Sequence, residues 1–412
     1  MRTVTLNKEG KFLRVIILFA LVNSSVFIAI GGSGIPRLIA ILLMNLSGLL
    51  LLFTFANNLK RFKKANVGLY FKFLFLLLVL WSLFTVFRSF NFQAKRLISL
   101  FGHYLMGWAW LTPLAVIFGF NILNWPRLFN FFGKILLAAS IVGLFCFFYP
   151  ILYNFGLLES FAFLPILLLT FFFQSKKIKW VILFSILVYM LITFIVSQRV
   201  NVLFLALIII FTFIQFLTLS EIKPTIKIFS IALLSIASLV VLSKFDAYTN
   251  RITQNDELTT DTRTFLFEEL FQDLTYSELW LGRGAMGTYY SPHFDYTTQH
   301  GLEGDSETRS VNEVGYLEMI LKGGYVMMIL YILILLPAAF LGIFKSKNII
   351  SKMCGYFILA YLIVWGISYY PVYSAEYILL WMAAGTAISG ENRRLTNKQV
   401  LYKNRNRLYF IK

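Results

Sequence analysis

Residues 307–326 read ETRSVNEVGYLEMILKGGYV. The stretch opens as a water-facing loop, with Glu307, Arg309, Asn312 and Glu313, and runs into apolar sequence that continues to Leu341. A run of that length is enough to cross a bilayer, which takes about 20 residues. Charged groups therefore stand at the mouth of a membrane helix, and the rest of the chain can be laid out from that boundary.

Composition agrees with this placement. The chain has 412 residues, of which 59% are hydrophobic and only 14% charged, with 44 Phe, and its mean hydropathy is +0.76. A soluble domain carries nearer 25% charge, so the class is polytopic membrane protein. The apolar run from Phe12 is the first of many and reads as a retained helix rather than a cleaved signal. Cys146 and Cys354 both lie in apolar runs. They read as packing groups, with no disulfide and no metal site.

The expected fold is all-α integral membrane, with about 12 transmembrane helices. Candidate spans are 12–33, 37–56, 69–87, 97–120, 128–150, 157–173, 178–196, 200–219, 225–243, 315–342, 353–370 and 373–389. The segment 97–120 is the least regular, because it holds His103 and Pro113. Positive residues favour the cytoplasmic side. With the N-terminus inside, 26 of the 37 basic residues fall on inner segments, so both termini are expected in the cytoplasm. The chain then divides into nine helices over 1–243, an outer loop over 244–314, three helices over 315–389 and a basic cytoplasmic tail over 390–412. The net charge of +18 is accounted for by topology and anionic headgroups, without nucleic acid.

The loop 244–314, between helices nine and ten, is the one long connection, and a loop of that length is usually functional or disordered. It has 13 of the 19 carboxylates and 5 basic residues, for a net charge of −8. Within it, RTFLFEELFQDL puts Leu266, Phe267, Leu270, Phe271 and Leu274 at helical spacing. That predicts an amphipathic helix on the membrane or over a cavity. In WLGRGAMGTYYSPHF, Gly282 and Gly284 permit tight turns around Arg283.

Arginine is suited to phosphate, because its planar fork stays charged and binds two oxygens at once. Arg199, Arg283 and Arg309 are expected on the outer face, where the head group of a lipid diphosphate would lie. Arg199 can equally be an interfacial arginine that snorkels. Glu313 is a candidate acceptor for a sugar hydroxyl proton, or a helix N-terminal carboxylate favoured by the dipole. No Asp-x-Asp pair occurs in the chain, which argues against a divalent-metal enzyme. His293, Asp295 and His300 lack a firm metal-ligand spacing. GRGAMG lacks the strand before and helix after that a nucleotide loop needs.

Three segments, SQRVNVLFLALIII, DTRTFLFEELFQDLTYSELWLGRGAMGTYYS and SVNEVGYLEMILKGGYVMMILYI, resemble in order the bacterial O-antigen polymerase and ligase superfamily, Wzy-type polymerases in particular. The resemblance implies a metal-independent glycosyltransferase of the bacterial inner membrane, without cofactor. Its partners would be a polyprenyl-diphosphate-linked glycan, the lipid bilayer and a chain-length regulator. Ligases of the superfamily place a histidine about nine residues before a glycine; here Asn312-Glu313 stands in that place with Gly323 following, which favours a polymerase. The resemblance further implies that Arg199, Arg263, Arg283 and Arg309 engage diphosphate or glycan, with Glu313, Arg199 and Arg283 catalytic. Arg263 could instead pair with Glu268 or Glu269. Tyr289 and Tyr290 could stack on sugar rings or join an interfacial aromatic belt. Lys322 could snorkel outward or face the cavity. Gly282, Gly284, Asn312 and Gly323 would be structural. The alternatives are a ligase that transfers finished glycan, and a lipid-linked oligosaccharide flippase. The second is disfavoured because no repeat relates the halves and the charges gather at one face.

Overall fold

The computed structural model describes residues 10–22, 34–90, 92–148, 159–195, 199–218, 225, 264–292 and 308–408. The span expected at 226–243, Arg263 and the string His293, Asp295, His300 lie outside the described residues. So do the ends of several spans.

The fold is all-α, apart from one two-stranded ribbon. Among the described residues five helices are long and apolar enough to cross a membrane: Leu38–Leu59, Leu69–Arg88, Asn124–Phe145, Val200–Thr218 and Gly315–Phe344. A bent pair, Arg96–Gly102 and Gly107–Gly119, makes a sixth if taken as one span. Ile349–Val364 and Ala375–Ile388 are apolar but shorter. The exposed faces of these helices are as apolar as the buried ones. In Leu69–Arg88, Phe71, Leu74, Phe75 and Leu78 pack inward, while Leu69, Phe73, Leu76, Leu80 and Phe87 are exposed. Continuous apolar surface on that scale is unstable in water and at home in lipid. The chain is thus a multi-pass membrane protein.

Ala375–Ile388 is the hub of the bundle, and Glu376 is its one residue that is not buried. Its neighbours approach to backbone contact. A Cβ on Gly385 would stand 2.0 Å from the Val116 carbonyl, and one on Gly119 would stand 2.0 Å from that of Met382. Small residues let helices pack this closely in lipid, where dispersion and hydrogen bonds replace the hydrophobic drive. The crossing is also bonded. The Thr386 hydroxyl donates to the Gly119 carbonyl at 2.9 Å and accepts from the Trp125 indole N–H at 2.9 Å.

Two expected spans are not continuous helices. Residues 97–120 divide into Ala94–Gly102, Gly107–Leu111, a 3-10 turn Thr112–Ala115 and Val116–Gly119. Pro113 enters the 3-10 turn at its start, where its missing N–H costs nothing. Within 160–173 the described residues form the short helix Leu164–Leu169 and a 3-10 turn Phe171–Phe173, with Pro165 in the first turn of that helix.

The described part of the long loop forms a small layer on one end of the bundle. The predicted amphipathic helix is present as Thr264–Asp273. Its leucines, Leu266 and Leu270, pack with Leu274, Tyr289, Val314, Leu317, Ile320 and Leu321 in a core of their own. Phe267 and Phe271 stay on the outer face. Tyr276–Leu281 follows, started by a reciprocal cap between Thr275 and Glu278. Tyr289–Tyr290 then pairs antiparallel with Thr308–Arg309.

Candidate functional site

The apolar helix opened by Gly315 is not one rod. Gly324 has φ 71° and ψ −178°, so the helix breaks there. The stretch from Tyr325 to Phe344 holds 20 residues, enough for about 30 Å of helix and one crossing. The break frees the carbonyls of the preceding turn, and buried polar groups of that kind must find partners. The loop after Leu281 supplies them. The Arg283 N–H donates to the Leu321 carbonyl at 2.7 Å, and the Gly284 N–H to that of Lys322 at 2.9 Å. The Trp81 indole N–H donates to the Gly323 carbonyl at 2.7 Å.

This seating requires glycine. Gly282 and Gly284 have φ of 71° and 87°. A Cβ on Gly282 would meet the Lys322 carbonyl oxygen at 2.3 Å, and one on Gly324 the Trp280 oxygen at 2.0 Å. The expected structural role of Gly282 and Gly284 has this cause. Gly323 adjoins the break, although the positive φ belongs to Gly324.

Arg283 holds the same loop. Its Nε donates to Glu278 Oε1 at 3.0 Å and its Nη2 to Glu278 Oε2 at 3.1 Å and the Asp273 carbonyl at 2.8 Å. Its Nη1 donates to the Thr288 carbonyl at 2.7 Å and to the Asp273 carboxylate. A guanidinium has five N–H donors, and all five are engaged. The diphosphate contact expected of Arg283 is therefore replaced here by the role of a strut. Its hydrogen bonds hold the Glu278 carboxyl down at about 2.

Lys322 is also committed. It does not snorkel outward. It is fully buried and donates to the carbonyls of Gly287, at 2.8 Å, and Ser310. Its ammonium is 3.6 Å from Glu318, one turn earlier and equally buried. Glu318 accepts in turn from the Asn312 N–H at 2.8 Å. Asn312, fully buried, accepts from the Val314 N–H at 3.0 Å and donates to the Tyr289 hydroxyl at 3.3 Å. Tyr289 is buried, which pushes its phenol up to about 12, and so is not placed to stack on a sugar. Tyr290 is exposed. Arg309 lies 3.6 Å from Glu313, whose side chain is 50% exposed. Arg199 is the first residue of the helix Arg199–Thr218.

A second group of polar residues gathers beside this loop layer, and sequence reading passed over it. Tyr369, the one non-glycine residue with positive φ (60°) among the described residues, donates to Asn201 Oδ1. Its ring lies 6.1 Å from Tyr361 and 5.4 Å from Phe204, and its hydroxyl meets that of Tyr189. The Tyr361 hydroxyl faces Glu376, and Glu376 is within electrostatic reach of Glu159. Tyr370 is within electrostatic reach of Tyr104, Glu318, Glu313 and Glu159. His103 stacks on Tyr104 at 5.0 Å. Gly315 ties the cluster to the loop layer, since a Cβ there would stand 2.3 Å from the Tyr369 carbonyl oxygen. Glu159, Glu376, Tyr104, Tyr369 and Tyr370 are half-buried rather than sealed in the core.

Such a cluster offers aromatic faces and hydroxyl and carboxylate acceptors next to apolar helices. That chemistry suits a polyhydroxy ligand presented from a membrane. Among the described residues no three His, Cys, Asp or Glu side chains gather to hold a metal ion. No family model, curated protein or solved structure matches this chain.

Proposed function

We propose that the chain is a membrane glycosyltransferase that joins polyprenyl-diphosphate-linked repeat units into a surface polysaccharide, at the outer face of the bacterial inner membrane. The reading rests on the three-segment resemblance to Wzy-type polymerases. The observation that carries it is the meeting, at one end of an apolar bundle, of the loop layer and the tyrosine–carboxylate cluster. In this reading the lipid tail stays in the bilayer beside the apolar helices while its glycan enters the cluster. Arg199 opens the helix that brings Asn201 to Tyr369. It is the cation assigned to the departing diphosphate, whose charge grows in the transition state. Arg309 supports the loop edge through Glu313, and Arg283 acts through the fold.

The test is the surface glycan profile of a strain lacking the gene. A polymerase predicts that single repeat units still reach the surface while the ladder of longer chains is lost. Accumulation of long carrier-bound polymer would make the protein a ligase, and an unchanged ladder would remove the reading.

A further inference from the structure

We propose that Glu376, not Glu313, is the catalytic base of this transfer, taking the proton from the acceptor hydroxyl at the floor of the tyrosine cluster. The inference rests on the glycosyltransferase reading above.

The two carboxylates differ in what surrounds them. Glu313 is half exposed and stands 3.6 Å from the Arg309 guanidinium, so a cation already faces one of its oxygens. Glu376 is half-buried. The groups shown to act on its carboxyl are the Tyr361 hydroxyl and the Glu159 carboxylate, and neither is a cation. A base works best when its lone pairs face the substrate and are not spent on a salt bridge.

Backbone geometry fixes Glu376 at this place. Ser374 caps the helix by accepting from the Tyr377 N–H at 3.2 Å, which puts Glu376 in the first turn. The rest of that helix is buried core, so the carboxylate sits on an element held by packing along its whole length. A dipole-stabilised helix start explains a carboxylate there. It does not explain phenols gathered on it from three other segments, Tyr189, Tyr361 and Tyr369, with Asn201 bonded to Tyr369 from a fourth.

The step balances as follows. A hydroxyl of the acceptor glycan gives its proton to Glu376. Its oxygen forms a bond to the anomeric carbon of the donor. The bond from that carbon to the diphosphate oxygen breaks, and the electron pair leaves on the polyprenyl diphosphate. Glu376 then releases the proton to solvent.

The experiment uses the full-length protein in vesicles, with polyprenyl-diphosphate-linked repeat units as substrate. It compares wild type with Glu376→Gln, Glu376→Asp and Glu313→Gln. Extension rate, retention of the lipid-linked donor by the protein and thermal melting are read for each. A base contributes about 10²–10⁴-fold. Glu376→Gln should therefore lose at least about 100-fold in rate while it keeps wild-type donor retention and melting. Glu376→Asp should recover part of the rate, and Glu313→Gln should stay near wild type. Extension by Glu376→Gln at wild-type rate, or its loss together with donor retention and melting, would overturn the assignment and leave the glycosyltransferase reading standing. Absence of extension by the wild type would instead overturn that reading.

Discussion

Arg283 shows how a residue chosen for phosphate chemistry can serve as scaffold. Its five bonds join Asp273, Glu278 and Thr288 across the loop. Lysine keeps the charge but not the planar fork, so Arg283→Lys should free the loop nearly as much as Arg283→Ala. Each charge-assisted bond lost costs about 1.5–3 kcal/mol, and protease cleavage within 264–292 is the measurement. Acid should act at the same point. Glu278 is held at about 2, below its ordinary 4.5, so its contribution is complete above about pH 4.5 and fades as pH falls toward about 2. Loop protection against protease should follow that window in the wild type and lose it in Glu278→Gln. The buried pair Glu318–Lys322 predicts a different pattern. Removing one charge strands the other at a cost of about 3–5 kcal/mol, whereas replacing both by apolar residues is much milder. A double-mutant cycle on melting, with Glu318→Leu and Lys322→Met, should therefore be strongly non-additive. Additive effects would mean that the two charges are not coupled.

At the level of elements, the loop and the broken helix are one unit. The loop backbone satisfies the carbonyls released at Gly323–Gly324, and the glycines allow the approach. Gly324→Ala meets both a left-handed φ and a carbonyl at 2.0 Å. It should undock the loop and raise hydrogen exchange at Leu281–Ala285, whereas Gly68→Ala, in open space, should leave it unchanged. Sequence reading reached some of these elements and missed others for identifiable reasons. Thr264–Asp273 was legible because its leucines repeat at helical spacing. The break at Gly324 was not, because LKGGYVMM is apolar enough to continue a span. What opens it is a set of hydrogen bonds from residues about 40 positions away. The tyrosine cluster is spread from Tyr104 to Glu376, so no local motif announces it. Its one local signal was SYYPVYSAEY at 368–377, four tyrosines and a carboxylate in a chain where intramembrane acids are rare.

Across the whole molecule, an apolar bundle is closed at one end by a polar layer, and the tyrosine–carboxylate cluster lies where the two meet. On the proposed reading, a lipid-linked substrate would meet two environments here at once, hydrocarbon for the tail and hydrogen-bonding groups for the glycan. Inside–outside orientation is tested by cysteine labelling from the cell exterior. Positions in 276–292 should react and positions in 174–179 should not, and the reverse pattern would invert the topology. The most direct test of the central claim is extension of purified polyprenyl-diphosphate-linked repeat units by the protein in vesicles, followed as a gel ladder. The account predicts a ladder from the wild type without added divalent metal and none from Arg199→Ala, with both proteins equally stable. Repeat units left unextended by a stable wild type, or a wild-type ladder from Arg199→Ala, would contradict it.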